Sequence, residues 1–185
     1  MILAILMVLV AAVFRLVAHE FQWWNVAPLA AMALLGGMYF GRRYALWVPL
    51  TVLLSTDLLL NARMGYPIVY WPRVFDYGAF VLVGLLGLWA RERKVGAKIG
   101  AALATPFGFF LISNFAVWLF GLNLANEHYP KTLAGLVDCY VAGLPFLRGT
   151  MIGDWAFMAA FALAALLVRR AAGERLHWLV AEARA

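Results

Sequence analysis

The sequence predicts an all-α integral membrane protein with six transmembrane helices. Three observations carry that prediction. Hydrophobic residues make up 66% of the 185-residue chain and charged residues only 13%, whereas soluble domains are about half apolar and roughly a quarter charged. Mean hydropathy is +0.87. The apolar residues also lie in continuous runs dominated by Leu and Ala, not in the alternation over about ten residues that marks a membrane β-strand. High hydrophobicity excludes a disordered chain. The single cysteine excludes a disulfide-built scaffold. A soluble globule of this composition would lack the polar surface to cover itself.

A spanning helix needs about 20 mostly apolar residues. Six stretches meet or approach that length: 1–18, 27–41, 44–61, 74–90, 99–121 and 150–168. The first has no basic start and no clear small-x-small site, so it reads as a retained span and not as a leader. Arg15 lies near its outer end, where a long basic side chain can snorkel to the headgroups. The second stretch is short, and Phe21 to Trp24 extend it. The third holds Ser55-Thr56-Asp57 and ends near Asn61. The fourth opens on Asp76, one turn after Arg73, and the sixth opens on Asp154, after Arg148 and Gly153. Between the fifth and sixth, residues 132–147 are apolar but short and contain Asp138 and Pro145. A seventh span there would turn Arg169, Arg170 and Arg175 outward, against the positive-inside rule. The segment therefore reads as a short outer-face or re-entrant helix, which needs protein or a water-filled cavity to shield its backbone.

Orientation follows from the loops. Arg42, Arg43, Arg91, Arg93, Lys94, Lys98 and the four arginines after the last span face one side, ten in all, against four on the other: Arg63, Arg73, Lys131 and Arg148. Lys and Arg collect on the cytoplasmic face, so both termini are expected in the cytoplasm. The net charge of +6 is then a topology signal that also favours anionic headgroups, and it calls for no nucleic-acid partner. Residues 1–185 read as a single transmembrane domain, with no soluble module, linker or internal repeat.

Small residues let helices approach closely in lipid. Gly37 and Gly41 form one such pair, Gly100, Ala104 and Gly108 a ridge, and Ala156, Ala160 and Ala164 another. Each serves either packing within the bundle or docking of another membrane subunit.

Ionisable residues at membrane depth are functional candidates by default. Asp57, Asp76 and Asp154 fall in the outer halves of three different spans, and this convergence predicts a polar cavity open to the outside. Their alternative roles are helix caps for Asp76 and Asp154, and structural pairing with Arg73 or Arg148. Asn25 and Asn114 are further polar candidates. Aromatics crowd the same end, among them Trp24, Tyr70, Trp118 and Tyr140. They form either an interfacial belt or the wall of a ligand pocket. Cys139 and His128 share the last outer loop, but two ligands are too few for a closed zinc site, so no metal or cofactor is expected. Catalytic signatures are missing too: the sequence has no GxSxG elbow, no HExxH and no P-loop. The chain is therefore not expected to be an enzyme, and any use of ATP would need partner subunits.

Three groups of residues carry a resemblance. Asn25-Val-Ala-Pro28, Gly36-Gly37-x-Tyr39-Phe40, Pro49 and Asp57 form the first. Asn114-Phe115-x-Val117-Trp118 is the second. Cys139-Tyr140, Pro145-Phe146-x-Arg148 and Gly153-Asp154 are the third and most specific. Together they resemble an uncharacterised family of small bacterial membrane proteins, over most of the chain. More loosely, the organisation is similar to the substrate-binding S components of energy-coupling-factor vitamin transporters, which share the length, the helix count, the cytoplasmic termini and an outward-facing pocket. Ala4, Ala11 and Ala12 depart from the docking spacing of that class. The resemblance implies vitamin uptake across a bacterial cytoplasmic membrane, with a transmembrane coupling subunit and ATPases as partners. It also implies that Cys139 is available to ligate a corrinoid.

The functional expectation is a membrane-embedded solute-binding component of an uptake transporter, for a vitamin or cofactor precursor. Asp57, Asn114, Arg148 and Asp154 would orient polar groups, with Asn25, Arg73, Asp76 and Cys139 beside them. Trp24, Tyr70, Trp118 and Tyr140 would stack on a ring. One alternative is a non-catalytic scaffold, as in cell-wall elongation complexes, with Asp57 and Asp154 paired to Arg73 and Arg148 and no cavity between. The other is an intramembrane lipid enzyme using Asp57 or Asp154 for acid–base work.

Overall fold

The computed structural model describes residues 2–21, 23, 25–64, 71–123 and 125–172, and within them the fold is all α. Helix α1 spans Ile2–Glu20. Helix α2 (Leu29–Leu35) continues into a π-helical turn over Gly36–Phe40. Then follow α3 (Arg42–Met64), α4 (Trp71–Arg91), α5 (Val95–Phe120) and α6 (Leu133–Ala172). Four of them, α3 to α6, are long and apolar enough to cross a bilayer, so the chain is a multi-pass membrane protein. Every apolar stretch expected to span is a helix here.

The expected second span takes a distinct form. From Leu29 to Phe40 the helix has 12 residues, about 18 Å at 1.5 Å per residue, against a hydrocarbon core of about 30 Å. All seven residues of α2 are buried. A short helix that is apolar all round is stable only inside a bundle, and α2 is surrounded by α3, α4, α5 and α6. Glycines make this possible. A Cβ on Gly87 would stand 2.2 Å from the Leu34 carbonyl oxygen, and one on Gly37 would stand 2.6 Å from that of Gly84. Backbone therefore meets backbone where α2 crosses α4. Gly41, expected to pair with Gly37 in packing, has φ 96° and instead turns the chain sharply from the π-helical turn into α3. The ridge expected on α5 is open: a Cβ on Gly100 or Gly108 would meet nothing within 4 Å.

The largest departure concerns residues 132–147. They are not a separate outer-face or re-entrant helix. From Leu133 on they are the first turns of α6, a 40-residue helix that runs on through the expected sixth span. Pro145 removes one backbone hydrogen bond, but membrane helices tolerate proline where neighbouring helices shield the freed groups. Helix α5 packs along α6, with Asn114 against Gly143, two residues before the proline. At about 60 Å, α6 is twice the thickness of the hydrocarbon core, so one helix supplies both the predicted span and the predicted outer segment.

Candidate functional site

Because α2 fills only part of the bundle's depth, the space beyond its N-terminus is left to the segment after α1 and to a cavity of about 280 Å³. Six helices and that segment line it, α2 through Leu29 and Ala30. Arg15 and His19 come from α1, Asp57 from α3, Arg73 and Asp76 from α4, Phe109 from α5 and Asp154 from α6. Asn25 and Trp23 close it from the connecting segment. Asn25 has φ 59°, a left-handed conformation that asparagine tolerates better than most residues. It bends the chain back toward α2. Gly153 brings α6 against this segment, its Cβ position lying 3.1 Å from the Val26 Cα, and so sets Asp154 at the cavity wall.

Asp57 is the hub of the charged groups. Its side chain is 5% exposed. One Arg15 nitrogen donates to Asp57 Oδ1, and the other donates to Thr56 Oγ1 and to the Leu53 carbonyl. Arg73 Nε lies 3.4 Å from Asp57 Oδ2, and Tyr77 OH donates to the same oxygen at 3.1 Å. Two guanidiniums and a phenol therefore hold one carboxylate. Breaking such a buried pair strands a charge in a low-dielectric interior.

Asp154 contrasts with it. It is 3% exposed, and its Oδ2 is buried without a hydrogen-bond partner. Arg73 Nη1 is likewise buried and unpartnered. Buried polar atoms are almost always satisfied, so two orphans on one cavity point to a group that completes them. Apolar walls complete the cavity, with the Phe80 and Phe109 rings 5.0 Å apart.

Of the residues singled out from sequence, Asn25, Asp57, Arg73, Asp76 and Asp154 line the cavity. The expected convergence of three carboxylates is therefore present. Asn114, Trp118, Cys139, Tyr140 and Arg148 are placed elsewhere. Four of them are tied to main-chain carbonyls of α5 and of the loop that follows it. Asn114 Nδ2 donates to Phe110 O at 2.9 Å, Cys139 Sγ to Asn114 O at 3.3 Å, Tyr140 OH to Leu111 O at 2.7 Å and Trp118 Nε1 to Pro130 O at 2.9 Å. Arg148 lies on the exposed face of α6. Tyr70 and Trp24 lie outside the described residues. Among the described residues no cluster of three or more metal-ligating side chains forms.

Sequence reasoning counted Trp23 among the outer aromatics but did not place Arg15, His19, Phe80, Phe109 and Thr150 at the site. Arg15 is the instructive case: it turns inward to Asp57 and does not snorkel to the headgroups. The available signal was its depth, because a cation inside a span needs either an interface or a buried anion, and Asp57 is a buried anion.

No curated protein and no solved structure matches this chain. A family model does match, over residues 1–179, which is nearly the whole chain and includes every residue of the cavity. The chain belongs to DUF6580, a family of unknown function.

Proposed function

We propose that this protein is the solute-binding component of a membrane transporter, taking up a vitamin or cofactor precursor across a bacterial cytoplasmic membrane. The observation that carries the reading is the cavity itself: charged side chains from four helices converge on it, and two buried polar atoms, Asp154 Oδ2 and Arg73 Nη1, await partners there. A few convergent polar groups within mostly apolar walls is the usual composition of a small-molecule site. The positive-inside rule puts the cavity at the outer end of the bundle and both termini in the cytoplasm. The sequence has no phosphate-binding loop, so any use of ATP would need partner subunits, as the likeness to S components implies. Because Cys139 is tied to Asn114 O away from the cavity, a corrinoid held by this thiol has no support.

The scaffold reading requires Asp57 paired with Arg73, Asp154 paired with Arg148 and no cavity; the first of these pairs forms, at 3.4 Å. Arg148 is exposed, and Asp154 Oδ2 is unpartnered. The lipid-enzyme reading requires a nucleophile and a base. The hydroxyl at the cavity, Thr150, spends its proton on the Phe146 carbonyl at 3.1 Å.

The test is a thermal-shift screen of detergent-purified protein against vitamins and their precursors. A ligand at a hundred times its Kd stabilises the fold by about 2.7 kcal/mol. One compound is expected to raise the unfolding midpoint, with the effect lost in Asp154→Ala and kept in Arg148→Ala. A flat response across the panel would overturn the reading.

A further inference from the structure

We infer that the lipid-facing side of α6 around Arg148 is a docking surface for a transmembrane helix of another subunit, one that carries an aspartate or glutamate at the middle of the bilayer. The inference stands whatever the cavity binds.

Arg148 carries an unanswered charge. It is exposed on α6, and among the described residues it makes no hydrogen bond, ion pair or ring contact. It also lies deep. Within the apolar span Leu133–Leu167 it stands fifteen residues from one end and nineteen from the other. The neighbouring helix gives the same depth. Tyr140 OH donates to Leu111 O, and the Trp155 ring lies 6.5 Å from that of Phe107. The stretch of α6 that holds Arg148 therefore lies against the middle of α5. Headgroups are then about 15 Å away on either side, half the hydrocarbon thickness. Snorkelling serves basic residues near helix ends, and a lone guanidinium facing lipid at mid-depth is costly. Arg15 and Arg73, also at membrane depth, turn inward to Asp57. Arg148 turns out of the bundle.

Its surroundings suit a second helix. Val141, Leu144, Ile152 and Leu163 are half exposed or more and fall with Arg148 on one stripe at helical spacing. Ala156 and Ala159 lie along the same side and are exposed too, and small residues let another helix approach closely in lipid. The chain's own helices leave this side free: α6 packs on α2 and α5 and meets Phe14 of α1 through Phe157. Asp154 lines the cavity from the same helix, so a subunit seated at Arg148 bears on the cavity wall.

Charge chooses the occupant. A carboxylate on the incoming helix matches the planar fork of the guanidinium, and the low dielectric of the bilayer strengthens the pair. A second copy fits poorly. A twofold axis along the membrane normal sets equal residues against each other, so Arg148 would face Arg148. The nearest exposed acid on α6, Asp138, would be about 15 Å along the helix.

Three synthetic membrane helices test the inference: a Leu/Ala host of about 20 residues with Asp, Leu or Lys at its centre. Each is labelled and mixed with labelled full-length protein in phosphatidylcholine vesicles, and association is read by energy transfer. The expected order is Asp, Leu, Lys, with the Asp helix at least roughly tenfold tighter than the Leu helix. In Arg148→Leu the preference for Asp should vanish with the unfolding midpoint kept, and in Arg148→Glu the order of Asp and Lys should reverse. If the Asp helix binds wild type no better than the Leu helix, or if its advantage survives Arg148→Leu, the inference falls. If differently labelled wild-type chains associate and Arg148→Leu separates them, the occupant is a second copy and the inference falls too. The wild-type ranking needs no variant, so a misfolded mutant cannot obscure it. Solute binding is decided separately, by the vitamin panel.

Discussion

Two regions of the molecule hold polar side chains at membrane depth, and they use them in opposite ways. Along the α5–α6 pair, Asn114, Cys139, Tyr140 and Trp118 each close on a main-chain carbonyl. In the cavity beyond α2, charge meets charge around Asp57, and Asp154 Oδ2 and Arg73 Nη1 are left over. In the first, Cys139 and Tyr140 stitch α6 to α5, while Asn114 bonds back onto its own helix and Trp118 onto the loop after it, so that each polar group is satisfied where lipid offers no partner. The second is expensive without a ligand. Polarity at depth is therefore not in itself the mark of a site; the mark is polarity whose local partners run out.

That contrast makes quantitative predictions. The largest effect belongs to the hub: Asp57→Ala strands two guanidiniums and should cost about 3–5 kcal/mol, read by denaturant unfolding in detergent. A cycle with Arg15→Ala should show strong non-additivity. If Asp57→Ala costs no more than one hydrogen bond of the α5–α6 hairpin, the distinction between the two regions collapses.

Next comes the steric lock of the hairpin. A Cβ on Gly143 would fall 2.2 Å from Asn114 Oδ1, so Gly143→Leu should destabilise by about 1–3 kcal/mol. Cavity ligands should still bind the folded fraction, and loss of binding there would mean that the two regions are coupled. Tyr140→Phe removes one neutral hydrogen bond to Leu111 O and should cost about 1 kcal/mol, again with binding intact. The smallest effect on stability is expected at Asp154→Asn. Removing an unpartnered buried carboxylate should leave the unfolding midpoint unchanged or raise it, while ligand-induced stabilisation disappears. A clear drop in the midpoint would show Asp154 to be structural, and would move it into the hairpin's category.

Legibility in the sequence divided along the same line. The helices were readable because lipid demands long apolar runs, and each expected span is a helix in the structure. The convergence of Asp57, Asp76 and Asp154 was readable because all three fall in corresponding halves of their spans. The fates of Cys139, Tyr140 and Asn114 were not, since a side chain that reaches a neighbouring carbonyl and one that reaches a ligand have the same spelling. Nor was the unbroken α6. Pro145 and Asp138 argue locally for a boundary, yet α6 runs through both while packed along α5.

By itself, then, the sequence determined that this is a multi-pass helical membrane protein, where its helices before α6 fall, and that three carboxylates share one end, because hydropathy is a local property of the chain. Tertiary structure alone decided that α2 is short and wholly enclosed, that the space beyond it is a cavity, that Arg15 turns inward to Asp57, and that Asp154 is left without a partner. Each of these depends on how closely backbones approach, above all at Gly37, Gly84 and Gly87, and on which side chains from distant segments meet across the gap that remains.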